Sequence, residues 1–533
     1  MIELERGVYM HHSFNIALVL LAVAVGVTAV AKKMNKPYPI ALVIIGGIIG
    51  LVPVPELDPL KGVIEEGFTF QFIIISLLLP ILLGEASIKL PYRHLREQAK
   101  PIMALAVGGT FITFLVVGLG SYYLLGFGLQ TAFVFAALMS ATDPVSVLSI
   151  FKTLGVNRKL ATIIEGESLF NDGLAVILFM IASIYLPTYI DMGSGGFFSA
   201  LIMLLKVSIG GVLVGVGLGY IFSKLTSWYD DYPLEILFSI LLFYGSFSIA
   251  ESIHVSGVIA VVVAGLIFGN YGAKIGMSPT TKINIHSFWD VLALFANSIV
   301  FLLVGLEIAY ININDKWGLI LSSVIIVLLA RTISIYSTLF RMKGIPAKWK
   351  HVLNWGGLKG SLSIALALSL PNDFPGRENV IILAFSVVFF SLIVQGLTIS
   401  PLISRLKVKG QDKEKTEYEE IIAAVNRYEY AIERLVKLKR EAIISPVVFE
   451  RIQSLYLHSS EVAKKRLDHL YEQHPEWRKS QEYKATIEAL YAEHDAVESL
   501  IRKDMISNKV AREEIERILD KLEKQRSLYN EHN

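Results

Sequence analysis

Apolar residues gather along this chain in runs of about 20, long enough to cross a roughly 30 Å hydrocarbon core as helices. The runs fall at about 12–31, 38–54, 68–90, 101–126, 129–151, 160–187, 197–223, 233–251, 255–270, 285–311, 317–340, 351–371 and 377–404. They predict an all-α polytopic membrane protein with 13 transmembrane helices. Past residue 410 the pattern changes. Lys, Arg, Asp and Glu fill 47 of the last 123 positions but only 49 of the first 410. A transmembrane domain over 1–410 is therefore expected to be followed by a soluble helical domain over 411–533. In that tail, Ile487, Leu490, Val497 and Ile501 recur at helical spacing. Helices are expected near 412–443, 446–473, 476–505 and 509–528. Ser445-Pro446 supplies an N-cap and a first-turn proline, and His474-Pro475 breaks the chain before the third helix.

Charge orients the spans. Of the basic residues outside them, 20 fall in segments assigned inside by alternation, including Lys32, Lys33, Lys36, Lys152, Lys343 and Lys409; only Arg6, Lys61, Lys316 and Arg377 fall outside. The positive-inside rule then puts the N-terminus outside and the tail in the cytoplasm of a cell-membrane protein. The chain is 53% hydrophobic with a mean hydropathy of +0.55, too apolar for a soluble enzyme of 533 residues. A net charge of +2 gives no case for nucleic-acid binding, and the lack of cysteine excludes disulfides and thiolate metal sites. No nucleotide-binding glycine motif or metal-ligand cluster points to a cofactor.

An odd span count fits two inverted six-helix repeats joined by the seventh span, which makes spans five and twelve counterparts. Span five is interrupted by Thr142-Asp143-Pro144, and span twelve opens on Gly356-Gly357-Leu358-Lys359-Gly360-Ser361. Interrupted segments in corresponding positions are the best sequence pointer to a transporter's midplane site. Pro144 lacks an N–H and opposes a regular helix, so carbonyls such as that of Thr142 are left to coordinate a cation. Asp143 can balance half-helix N-termini, and Lys359 can offset the negative C-terminal ends.

Span six carries Glu165, Glu167, Ser168, Asn171 and Asp172 within less than half of the helix circumference. Asp172 falls about 18 Å along the helix, near mid-depth; Glu165 lies about 10 Å nearer the cytoplasm on almost the same face and is expected to line the cytoplasmic approach. Carboxylates at such depth are expensive and functional by default. Oxygen-only ligands suit hard alkali cations. Away from the span ends, only Lys206, Arg331 and Lys359 are basic residues within spans. Arg331 cannot deprotonate to escape burial, and Glu167 is its expected partner in a structural ion pair, which leaves Asp172 to titrate. Lys206 is expected to snorkel. Glu85, Glu251, Asp290 and Glu307 lie near span ends, where solvation or capping is expected.

These motifs, with Ala141 before Thr142, resemble the monovalent cation/proton antiporter-1 family, which includes prokaryotic sodium/proton antiporters and animal sodium/proton exchangers. The resemblance covers about residues 12–405. It implies that Asp172 binds cation and proton, supported by Asn171, Ser168, Thr142 and Asp143, and that Glu167 and Arg331 form the buried pair. It also implies a homodimer in which a six-helix core moves against a dimerisation domain in an elevator-like cycle. Animal exchangers usually have arginine where this chain has Lys359. Electrogenic relatives carry two adjacent aspartates where this chain has Asn171-Asp172, so an electroneutral exchange is implied.

The residues and the resemblance together predict a secondary antiporter exchanging Na⁺, and by extension Li⁺, for H⁺, with the two ions competing for Asp172. Potassium/proton exchange is the nearest alternative, because ligand type does not separate the alkali cations. A cation channel, or a non-transporting sensor with the tail as its output, is the alternative of a different class.

Overall fold

The computed structural model describes residues 2–34, 37–51, 72–229, 231–308, 316–342, 344–408, 413–503 and 505–531. Lys36, Lys61, Lys343, Lys409 and the boundary at Gly410 lie outside them, as do the surroundings of Glu307. The described residues are helical, with no strand among them. They divide into two compact units, Met1–Gly410 and Gln411–Asn533.

In the first unit, eight helices among the described residues are long and apolar enough to cross a membrane: Ala99–Leu124, Arg158–Asp191, Gly195–Thr226, Tyr232–Ser252, Gly257–Ile275, Thr281–Leu306, Trp317–Thr338 and Arg377–Leu406. This is a multi-pass membrane protein. Shorter apolar helices cover Tyr38–Leu51, Leu129–Leu138 and Val145–Leu154. Several long helices contain a π-helical turn, among them Ala104–Gly109, Ile181–Tyr185 and Ser391–Gln395, a local irregularity that often marks functional positions.

Two crossings are broken. Helix Leu129–Leu138 ends in a turn at 139–140, residues 141–144 run without regular structure, and helix Val145–Leu154 begins directly after Pro144. The second break, 356–360, separates Ala347–Trp355 from Ser361–Leu368. The sequence puts that break at the opening of its run; the structure puts a helix on either side of it. The reason lies in Ala347–Trp355, a short helix begun by Pro346 whose Lys348 and Lys350 hide it from a hydropathy reading.

The breaks are held from two sides. Trp317–Thr338 packs on Thr110–Leu124 and on Arg377–Phe390, while Ser361–Leu368 packs on Leu129–Leu138 and Arg377–Phe390. Across from them, Tyr38–Leu51 and Leu79–Lys89 pack on Pro279–Ile308. Lys206 is exposed on the apolar surface of Ser194–Thr226, beside exposed Ile202 and Ile209.

The second unit consists of two helical hairpins. Lys413–Arg440 pairs with Pro446–Gln473 around Ile421, Val425, Ala463 and Leu470; Pro475–Arg502 pairs with Asn508–Glu531 around Leu490, Ile518 and Leu522. Ser445 caps its helix by accepting the Val448 N–H.

Candidate functional site

The two unwound peptides cross and bond to each other. The Asp143 N–H donates to the Leu358 carbonyl at 2.8 Å. Such close approach needs small residues: a Cβ on Gly360 would overlap the Asp143 side chain, and one on Gly357 would overlap the Arg331 guanidinium.

Breaking two helices exposes half-helix ends inside the fold, and each described end meets a charge of the opposite sign. Lys359 Nζ donates to the carbonyls of Met139 (2.6 Å) and Ala141 (3.0 Å), just past the C-terminus of Leu129–Leu138. Ser363 Oγ donates to the Leu138 carbonyl at 2.7 Å. Arg331 Nη2 donates to the Leu353 carbonyl at 3.0 Å, in the last turn of Ala347–Trp355. At the opposite polarity, Asp143 Oδ1 accepts the Val145 N–H at 2.9 Å, and its side chain lies against Gly360, where Ser361–Leu368 begins. The crossing is thereby neutralised by one acid and two bases, as helix dipoles demand.

Span six contributes the remaining polar groups. Glu167 accepts a two-pronged hydrogen bond from Arg331, Oε1 from Nη1 and Oε2 from Nη2 at 3.2 Å. Both residues are buried, at 2% and 7% exposure. This bidentate geometry holds a guanidinium more firmly than a point-charge ammonium can be held. Ser168, the next residue, donates through Oγ to the Thr142 carbonyl and sits 3.1 Å from Thr142 Oγ1; one turn on from Glu167, Asn171 Nδ2 donates to that hydroxyl at 2.8 Å. The hydroxyl and amide thus fasten span six to the first break. Two oxygens remain buried without a hydrogen-bond partner, Asn171 Oδ1 and Asp172 Oδ1. Buried oxygens are normally satisfied, so this pair points to a missing donor or cation.

Asp172 is not sealed in. With Thr142, Asp143, Ser168 and Glu165 it lines a cavity of 620 Å³. The cavity also reaches Glu85 and Asp290, which the sequence assigns to solvation or capping at span ends. Lys89 ties them together, 2.6 Å from Glu85 Oε1 and in contact with Asp290 Oδ1. The i,i+4 spacing of Glu85 and Lys89 is visible in the sequence; their meeting with Asp290, on another helix, is not. Tyr38 and Asn297 line the same cavity and carry no sequence signal of their own. Glu251 does cap, accepting the Gly257 N–H at 3.1 Å. Among the described residues no group of three or more His, Cys, Asp or Glu is placed to hold a multivalent metal.

Comparisons with known proteins agree with this architecture. Residues 18–405 match the family described as the transmembrane sodium/hydrogen exchangers. The chain is 54% identical to the Na⁺/H⁺ antiporter NhaG of Bacillus atrophaeus over 98% of this chain and 99% of that one. It is 56% identical to the Na⁺/H⁺ antiporter NhaH of Halobacillus aidingensis, covering 98% of that protein but 74% of this chain. Its fold resembles that of the sodium/proton antiporter MjNhaP1 of Methanocaldococcus jannaschii, with a TM-score of 0.60 at 22% identity over 75% of this chain and 99% of that one.

Proposed function

The chain belongs to the sodium/hydrogen exchanger family, and from that membership we propose that it exchanges Na⁺ for H⁺ at Asp172 by alternating access. The observation that carries this reading is the unpartnered Asp172 Oδ1 beside a cavity of 620 Å³. As a carboxylate, Asp172 binds a partly dehydrated monovalent cation, with oxygens of Thr142, Ser168, Asn171 and Asp143 around or behind it. Oxygen donors of this kind suit hard cations. Once protonated, the same carboxyl no longer attracts the cation. If the site crosses when either ion neutralises it and not when it is empty and charged, the two fluxes are obligatorily coupled.

Glu167 serves as the structural partner of Arg331. Its charge is matched by Arg331 at both oxygens. Asn171 cannot ionise, so one exchangeable carboxylate per site gives one proton per cation and no net current. Glu165 lines the route to Asp172, and Lys359 keeps the first break electrically balanced. We further propose that the membrane unit comprises 13 spans in two inverted repeats, works as a homodimer in the cell membrane with its N-terminus outside, and moves its core in an elevator-like step. The tail is then cytoplasmic.

The test is proton flux in proteoliposomes driven by Na⁺, Li⁺ or K⁺ gradients. The reading predicts flux with Na⁺ and none in Asp172→Asn, and no turnover-linked current under voltage clamp. Cation current without counter-transport would point to a channel. Flux with K⁺ alone would move the assignment to potassium/proton exchange.

A further inference from the structure

A second and much smaller cavity, of about 10 Å³, shares no lining residue with the large one. Its polar walls are Arg331, Lys359 and Gln395, and its apolar walls include Val327 and Val387. All three polar side chains are at least nine-tenths buried, at 7%, 3% and 4% exposure. The volume is about that needed for one water. Arg331 Nε is buried there without a hydrogen-bond partner, although both Nη atoms are engaged.

The hydrogen-bond inventory around this space determines what fits it. Arg331 Nε brings one N–H. Lys359 has three donors, two of them directed at Met139 and Ala141, which leaves one. Gln395 donates through Nε2 to the Trp355 carbonyl at 3.3 Å, and that contact fixes the amide so that Oε1 remains as an acceptor. Two donors and one acceptor match a water molecule, whose lone pairs receive the donors while one O–H reaches the acceptor. A halide would welcome the two cations but would be repelled by Oε1. An empty cavity would leave a guanidinium N–H buried and unpaired, at a cost of about 1–3 kcal/mol or more.

We propose that this cavity holds one ordered water, and that Gln395 acts through it as a positioning residue for the ion site. Lys359 Nζ sits on the Ala141 carbonyl, and Ala141 lines the large cavity together with Thr142 and Asp172. With its third N–H held by the water, the ammonium stays on the carbonyl side of the break. Without the water, Lys359 loses one of three restraints and keeps two, so its ammonium competes more readily with the transported cation for Asp172. This second step rests on the proposed role of Asp172; the presence of the water does not. The geometry depends on the π-helical turn Ser391–Gln395, which sets Gln395 on the cavity and Ser391 Oγ at 2.9 Å from the Lys359 N–H.

The test combines an experimental structure of the full-length protein, at a resolution that shows waters, with sodium-dependent transport by Gln395→Met. The expected structure has one peak within hydrogen-bonding distance of Arg331 Nε and Gln395 Oε1, with no anomalous signal after bromide exchange. Gln395→Met should lose that peak and raise the sodium KM about tenfold, the worth of one hydrogen bond to a charged group, with kcat nearly unchanged. Gln395→Glu, which keeps an acceptor, should hold the KM within about threefold of the parent. An empty site or a bromide peak overturns the water. A peak present in the parent with an unchanged KM in Gln395→Met overturns the positioning role, and a lowered kcat at constant KM does the same by revealing mere loss of packing. If Gln395→Met does not fold, the density in the parent protein still decides the first claim, and Gln395→Leu at reduced temperature supplies the second. Asp172→Asn, measured separately, tells failure of this inference from failure of the site assignment.

Discussion

The broken crossings and the tail use charge in opposite ways. At the crossings a handful of ionised groups lie in a buried setting, and each faces a named carbonyl, amide or counter-charge. In the tail, ion pairs such as Lys464–Glu429 at 2.7 Å and Lys521–Glu493 at 3.3 Å are formed by side chains roughly half exposed. Water screens such pairs, and they are each worth at most about 1 kcal/mol. A buried pair is different, because losing one partner strands the other. The lesson is that the density of charge along the sequence and its importance run in opposite directions here.

Substitutions can break that contrast at its strong end first. Asp172→Asn should reduce exchange to background in proteoliposomes while the protein still elutes as a folded species from size exclusion. Pronounced residual sodium-coupled proton flux would remove Asp172 from the centre of the mechanism. Next in size, Arg331→Ala should leave Glu167 uncompensated and cost about 3–5 kcal/mol, read as a fall in thermal stability in detergent. Glu167→Gln together with Arg331→Gln should recover part of that loss, since a buried pair costs more to halve than to remove. Acidification sharpens the same contrast. If proton and sodium compete for one carboxylate, the apparent sodium KM rises about tenfold per pH unit on the acid limb while the rate at saturating sodium changes little. The sign follows from protonation removing the binding form. A saturating rate that falls in parallel would argue against a shared site.

At the weak end, Lys464→Ala should change stability by less than about 1 kcal/mol in thermal unfolding, in line with an exposed pair. Truncation after residue 410 should leave sodium-driven proton flux within about threefold of the parent, a change of less than about 1 kcal/mol in barrier height. A truncated chain that lost its pH response while keeping its maximal rate would make the tail a regulator.

Much of this organisation can be read from residue types. Pro144 marks the first break because it cannot continue a helix, and the glycines at 356, 357 and 360 mark the second. Arg331 and Glu167, which meet in the structure, are the pair that a balance of buried charge brings together. The tail helices follow from the proline at 446 and the break at His474-Pro475. What stays hidden depends on distances across the fold. Nothing in the chain announces that Lys89 will meet Asp290, because no rule ties the azimuth of one span to that of a span 201 residues away. Gln395 and Ser391 are inconspicuous for another reason: they are neutral, they sit in an apolar run, and a π-helical turn shifts them off the face that a regular helix would give. The opening of Ala347–Trp355 is obscured by its lysines, since hydropathy scores charge without asking whether it reaches the surface.

The bond between the two breaks also bears on how the protein is made. Lys359 and its acceptor at Met139 are 220 residues apart in the chain. At synthesis rates of about 5–20 residues per second, the first crossing waits roughly 10–45 s for the lysine that completes it. Throughout that interval the nascent membrane segment carries carbonyls and an aspartate whose final partners do not yet exist. During synthesis the first interrupted helix therefore exists for a time without the contacts that neutralise its end in the finished fold. The crossing is completed late, on the arrival of residues 356–360, and a chain that stops short of them lacks the lysine that meets the Met139 and Ala141 carbonyls.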